Sequence, residues 1–82
     1  MTLNPDADGH SQQGYDHYIN GEFGLAIEEY TKAIQLDPYF DLAYFQRGNA
    51  FFILSQSAEA LRDLAQAITL DPNDPDYYFG RA

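Results

Sequence analysis

Apolar and polar positions along this chain alternate with a helical period, in blocks separated by residues that break helices. The clearest stripe is Ala60, Leu61, Leu64, Ala67 and Ile68, whose spacings of one, three and four residues gather the side chains on one side of a helix from about Ser57 to Leu70. Ala26, Ile27, Tyr30, Ala33 and Ile34 repeat that stripe and predict a helix from about Phe23 to Leu36. Between them, from about Phe40 to Leu54, Ala43, Tyr44, Arg47, Gly48 and Phe51 fall on one side, while Phe45, Asn49, Phe52 and Ile53 fall on another. A helix apolar over more than one face must be covered twice or remain adhesive. The first block, about Asp8 to Asn20, spaces Tyr15, Tyr18 and Ile19 helically, but Gly9 and Gly14 each weaken it by about 1 kcal/mol relative to Ala.

The breakers have their own chemistry. Asn20-Gly21 tolerates a left-handed backbone and stops the first helix, and Asp37-Pro38 ends the second. Ser55-Gln56-Ser57 makes the next turn, although Ala60 stands where a capping box would place an acid. Pro5 stops anything helical before it, and Asn4 or Asp6 can accept from free amides of the helix that follows. Asp74-Pro75 reads as the start of a fifth helix running into Asp76-Tyr77-Tyr78-Phe79-Gly80-Arg81-Ala82.

The blocks are copies of one unit. A shift of 34 residues lays Gly14 on Gly48, Ala26 on Ala60, Ala33 on Ala67, Ile34 on Ile68 and Leu36 on Leu70, and carries Asp37-Pro38 onto Asp71-Pro72. It also lays Gln12 on Gln46, Tyr44 on Tyr78, Phe45 on Phe79 and Arg47 on Arg81. Thr2-Leu3-Asn4-Pro5 looks like Thr69-Leu70-Asp71-Pro72, as the tail of a preceding unit would. Helix pairs that cannot bury their own stripes must stack on one another. The expected fold is all-α: antiparallel helix-hairpin repeats stacked as a short right-handed α-solenoid, about two repeats plus a partial third.

Gly48, Phe51, Ala60, Leu64, Ala67 and Pro72 together resemble the tetratricopeptide repeat, a helix-turn-helix unit of 34 residues. The resemblance covers about residues 7 to 82 and divides the chain into a tail-like segment 1–6, repeats at 7–40 and 41–74, and a partial repeat or capping helix at 75–82. There are departures. His10, Tyr44 and Tyr78 stand where the family prefers Trp, and Gln13, Arg47 and Arg81 replace the usual Leu before the glycine. His17 occupies the aromatic place held by Phe51 in the second unit.

Composition narrows the function. The chain is 45% hydrophobic and 16% aromatic, too apolar for a disordered tail. Thirteen acidic against four basic residues give a formal charge of -9, which repels nucleic-acid phosphates and anionic membrane surfaces; it suits solubility and encounter with a basic partner, and the plainer reading is a solvated acidic surface. With no Cys there is no disulfide, thiol nucleophile or thiolate metal site. Met1-Thr2-Leu3 opens no apolar run of signal-peptide length, so the expected location is cytoplasmic.

The resemblance implies that the first helices of successive units line a concave groove for a peptide or helix of a partner. Its lining would be Ser11, Gln12, Tyr15, Tyr18 and Ile19, then Leu42, Phe45, Gln46, Asn49, Phe52 and Ile53, then Phe79. The rival reading buries the aromatic stripe against a neighbouring helix. Some family members clamp a chaperone's terminal carboxylate with Lys, Arg and Asn; only Asn49 matches here, and no Lys or Arg lies on the lining. His10 and His17 are two turns apart, too far for paired metal ligands, and Glu28 is expected to support Lys32 at the next turn. No nucleophile elbow or phosphate loop occurs, and neither catalysis nor a cofactor is expected. The expected function is a protein-protein interaction module, with a self-associating structural repeat or a piece of a larger scaffold as the alternative.

Overall fold

The computed structural model describes residues 4–73, and among them it contains four helices and no strand. These are α1 (Pro5–Ile19), α2 (Phe23–Leu36), α3 (Asp41–Ile53) and α4 (Ser57–Leu70). The second and fourth keep their predicted bounds, and the third is one residue shorter at each end. The first starts at Pro5 rather than Asp8. Asn4 explains the extension: its Oδ1 accepts from the Asp6 and Ala7 amides at 3.0 and 3.1 Å, and Pro5 takes the first helical position, where its missing N–H costs nothing. Polar residues and Gly9 occupy most of that first turn, so hydrophobic periodicity gives it little weight. The Asn4 amide also donates to the Leu36 carbonyl at 3.2 Å, tying the start of α1 to the end of α2. The expected fifth helix, and residues 1 to 3 of the tail-like segment, lie outside the described residues.

Both hairpins reverse through a left-handed residue. Gly21 has φ 78° between α1 and α2, and the 34-residue shift places Ser55, with φ 65°, at the same point between α3 and α4. Glycine adopts this conformation freely, whereas the serine Cβ crowds its own carbonyl. Ser55→Gly is expected to raise stability by about 0.5 to 1 kcal/mol, read as a higher urea midpoint at unchanged slope. A lower midpoint would mean that Ser55 carries no strain there.

The link between hairpins is also packed. Tyr39 donates its amide to Asp37 Oδ1 at 3.1 Å, and the chain then turns Phe40 inward. Phe40 is the residue before α3, not its first turn, and it joins Ala7, Ala33 and Ala43 in one buried cluster with Ile34 against it. A single aromatic ring thus anchors the second hairpin on the first.

Helices pack α1 on α2, α3 on α4 and α2 on α3, with α1 also touching α3. The interior is built largely from fully buried alanines, Ala26, Ala33, Ala43, Ala50, Ala60 and Ala67 among them, which let the backbones approach closely. Gly14 and Gly48 go further. A Cβ on Gly14 would lie 2.7 to 3.1 Å from the Tyr30 ring, and one on Gly48 would lie 3.0 to 3.2 Å from Leu64 and the Ala60 carbonyl. Tyr30 and Leu64 are repeat equivalents and the largest fully buried side chains among the described residues. In each hairpin the glycine is the socket for that side chain.

Candidate functional site

Two matching stripes run along α1 and α3. Asp8, Gln12, Tyr15 and Ile19 are spaced by three and four residues on α1, and the 34-residue shift carries them onto Leu42, Gln46, Asn49 and Ile53 on α3. The sides of these helices that pack inward carry Ala7, Ser11 and Gly14 on α1, and Ala43, Gly48 and Ala50 on α3. With that packing satisfied, Tyr15, Ile19, Leu42, Ile53 and the neighbouring Phe52 remain exposed, Phe52 by 59%. Because α1 touches α3, the stripes lie on neighbouring helices.

The expected lining residues divide as follows. Gln12, Tyr15, Leu42, Phe52 and Ile53 are exposed, while Phe45, Gln46 and Asn49 are half-buried. Tyr18 is half-buried with its ring edge-on to Phe23, centroids 5.3 Å apart. Ser11 is a correction: at 5% exposure it belongs to the inward stripe with Ala7 and Gly14, four residues after one and three before the other. Phe79 lies outside the described residues.

Two polar atoms in this region are buried without a hydrogen-bond partner, Tyr30 Oη and Gln46 Oε1. Burial first, then the Tyr18 and Tyr15 phenols, push the Tyr30 hydroxyl far above the ordinary range of tyrosine. It stays neutral and offers no proton chemistry near pH 7.

The charged groups inside the module are structural pairs. Arg47 donates from Nε to Asp63 Oδ2 at 2.7 Å and from Nη2 to Asp63 Oδ1 at 2.8 Å, and Nη1 reaches Thr31 Oγ1 at 3.2 Å. Thr31 in turn donates to the Ile27 carbonyl at 2.7 Å, so this network joins α2, α3 and α4. The guanidinium also lies 5.8 Å from the centroids of the Tyr44 and Phe51 rings. Sequence reasoning missed this pair, treating Arg47 only as a departure from Leu. A signal existed, since the shift lays Asp63 on Glu29, giving an acid at the same place in both second helices.

Glu29 is the corresponding anchor of the first hairpin. His10 Nδ1 lies 2.9 Å from its Oε1 and Lys32 Nζ lies 3.2 Å from its Oε2. Lys32 therefore pairs with Glu29 rather than with Glu28, because Glu29 faces the α1–α2 seam while Glu28 is exposed. His17 pairs with Glu22 at 3.0 Å, so the two histidines are held by different carboxylates. The hydrogen bond from His10, then Lys32, hold the Glu29 carboxyl below its ordinary value against the opposing effect of burial. A lowered folded value contributes stability that is present above the unfolded value, about 4.3, and is lost as pH falls through the folded one. Glu29→Gln is therefore expected to flatten the fall in melting temperature between neutral and acid pH. An equally steep fall in the variant would assign the acid sensitivity elsewhere.

Among the described residues no group of three or more His, Asp or Glu is placed to hold a metal ion, and no helix is long and apolar enough to cross a membrane.

Stacked hairpins with glycine sockets and paired exposed stripes define a tandem helix-hairpin repeat module. A family model described as TPR repeat matches residues 14–55 and 48–82. The chain is 30% identical over its whole length to Tetratricopeptide repeat protein 6 of Homo sapiens, of which it covers 16%. It is 32% identical, over 98% of its length, to the Heat shock protein sti1 homolog of Schizosaccharomyces pombe, covering 14% of that protein. Over 74% of its length it is 38% identical to the Small glutamine-rich tetratricopeptide repeat-containing protein 2 of Mycosarcoma maydis, covering 16%. The chain belongs to the tetratricopeptide-repeat family, and it spans less than a fifth of these relatives.

Proposed function

We propose that this chain is a protein-interaction module that holds a peptide or helix of a partner against the α1–α3 face, centred on Phe45, Asn49 and Phe52. Residues 7–40 and 41–74 act in this reading as two repeats presenting one continuous surface. The observation that supports it most is the division of labour on α3, where Ala43, Gly48 and Ala50 supply the inward packing while Leu42, Phe52 and Ile53 stay in solvent. Asn49 offers both ends of its amide to a partner backbone. The match to the tetratricopeptide-repeat family model, and to the Small glutamine-rich tetratricopeptide repeat-containing protein 2, supports an interaction role. The paired state of Arg47, Asp63, His10 and Glu29 fits a structural use of ionisable groups.

Affinity capture tests this directly. Phe52→Ala is expected to abolish partner capture with little change in helical content or melting, because the ring contributes little to the core. Phe45→Ala is expected to do the same at a somewhat larger cost in stability, since that ring is half-buried. If both variants unfold, these rings are core and the face is not a site.

A second reading rests on α4. Leu61 is 50% exposed, whereas its repeat equivalent Ile27 on α2, the helix that packs on α3, is half-buried. An α4 face left open in this way would suit end-to-end stacking of copies. Sedimentation across a concentration series separates the readings, since a monomer at all concentrations removes self-stacking.

A further inference from the structure

The turn between α1 and α2 holds a reactive pair of residues that the proposed binding face does not use. Asn20 caps the C-terminal end of α1 with φ -89° and ψ 3°, and Gly21 follows with φ 78°. Both are exposed. The Asn20 side-chain amide makes no hydrogen bond among the described residues, so nothing in the fold occupies it. The nucleophile nearest to such an amide along the chain is the backbone nitrogen of the next residue, whose attack closes a five-membered imide. A glycine there puts no Cβ in the way.

Other asparagines of the chain lack one or more of these features. Asn4 precedes Pro5, whose nitrogen carries no hydrogen, and its side chain already caps α1 and donates to the Leu36 carbonyl at 3.2 Å. Asn49 is half-buried within α3 and precedes the fully buried Ala50, whose amide the helix holds. Asn73 precedes Asp74, which brings a side chain. The second hairpin turns through Leu54-Ser55 at the equivalent place and has no amide to lose there.

The native turn slows the reaction without blocking it. With ψ near zero the Gly21 nitrogen does not eclipse the Asn20 Cβ, as ring closure requires, and its N–H donates to the Tyr18 carbonyl at 3.1 Å. Rotation at Asn20 must break that bond. An exposed helix end opens at little cost, far below that of global unfolding.

We infer that Asn20-Gly21 is a site of spontaneous backbone modification, gated by opening of this one turn. The Gly21 nitrogen bonds to Asn20 Cγ and gives up its proton; the Cγ–Nδ2 bond breaks, and the side-chain nitrogen leaves with that proton as ammonia. Water then opens the imide at one carbonyl or the other, which leaves aspartate or an isoaspartyl link at position 20. The isoaspartyl link adds a carbon to the main chain inside a turn closed by the Gly21–Tyr18 bond and by the Glu22 amide to the His17 carbonyl at 2.8 Å. Either product also sets a carboxylate at the negative end of α1, so the first hairpin loosens.

The test holds the whole chain in mildly alkaline buffer at physiological temperature, with and without urea. Released ammonia and isoaspartyl content are followed, and peptide mapping places the change. Both products are expected at Asn20, faster in urea, and Asn20→Gln is expected to lose the signal. Gly21→Ser introduces the residue type that Ser55 shows to fit this turn. It is expected to slow the reaction several-fold in urea, where the turn is open in both chains and only the added side chain differs. The isoaspartyl form, separated by ion exchange, is expected to melt below the starting chain. Ammonia loss that maps first to Asn49 or Asn73 overturns the inference, as does a folded chain that stays intact while the urea sample reacts. An equal rate for Gly21→Ser in urea removes the role of the glycine, and an isoaspartyl form that melts with the starting chain removes the loosening.

Discussion

Asp63→Ala is expected to cost the chain about 3 kcal/mol or more, a large share of the roughly 5 kcal/mol that a domain this small commands. Asp63 is 5% exposed at its side chain and accepts two hydrogen bonds from Arg47, whose own side chain is 18% exposed. Removing the carboxylate leaves a guanidinium pressed against Tyr44 and Phe51 with only Thr31 as a partner in the network. The partial exposure of Arg47 allows some rescue by water, which places the loss at the lower end of the range for broken buried pairs. The double variant Arg47→Met/Asp63→Leu is expected to recover most of it, because hydrophobic residues of similar volume replace buried ion pairs at little net cost. Urea unfolding followed by circular dichroism reads both. A loss below about 1 kcal/mol for Asp63→Ala would show that the pair behaves as a surface pair.

Gly14→Ala is expected to destabilise by about 1 to 3 kcal/mol even though alanine is the better helix former by about 1 kcal/mol. The new methyl would meet the Tyr30 ring at 2.7 Å, and that ring is fully buried with nowhere to retreat. Gly9→Ala provides the contrast. Nothing lies within 4 Å of a Cβ there, so propensity acts alone and the variant is expected to gain up to about 1 kcal/mol. Tyr30→Leu, the residue type that Leu64 provides in the other hairpin, is expected to relieve Gly14→Ala in part. Thermal melts of the two single variants that shifted in the same direction would remove the socket role of Gly14.

Much of the architecture was legible because it is written in local terms. The stripes of α2 and α4 use apolar residues at helical spacing, and the breakers Gly21, Pro38 and Pro72 act on their own backbone. The repeat register laid Gly14 on Gly48, and the distances to Tyr30 and Leu64 make both of them places of close approach. The start of α1 was harder, since its signal was the Asn4 cap rather than periodicity. Ser11 was misplaced because a helix touched by two neighbours has a wide inward side, and one apolar stripe does not reveal its width.

Pairing of charges was not legible in the same way. Asp63 is one of three acids near the middle of the second helices, with Glu28 and Glu29, and nothing in its immediate neighbours says that Arg47, on another helix, will reach it. Likewise Lys32 had Glu28 four residues away and Glu29 three, both within helical reach, and the α1–α2 seam made the choice by drawing Glu29 toward His10.

Helix positions, turns and the tandem register follow from backbone preference and side-chain period, which each residue carries with it along the chain. Ion-pair partners and the open side of α1 and α3 arise only when helices distant in sequence come within a few ångströms. Charge pairing and solvent exposure depend on those neighbours, so folding had to supply them.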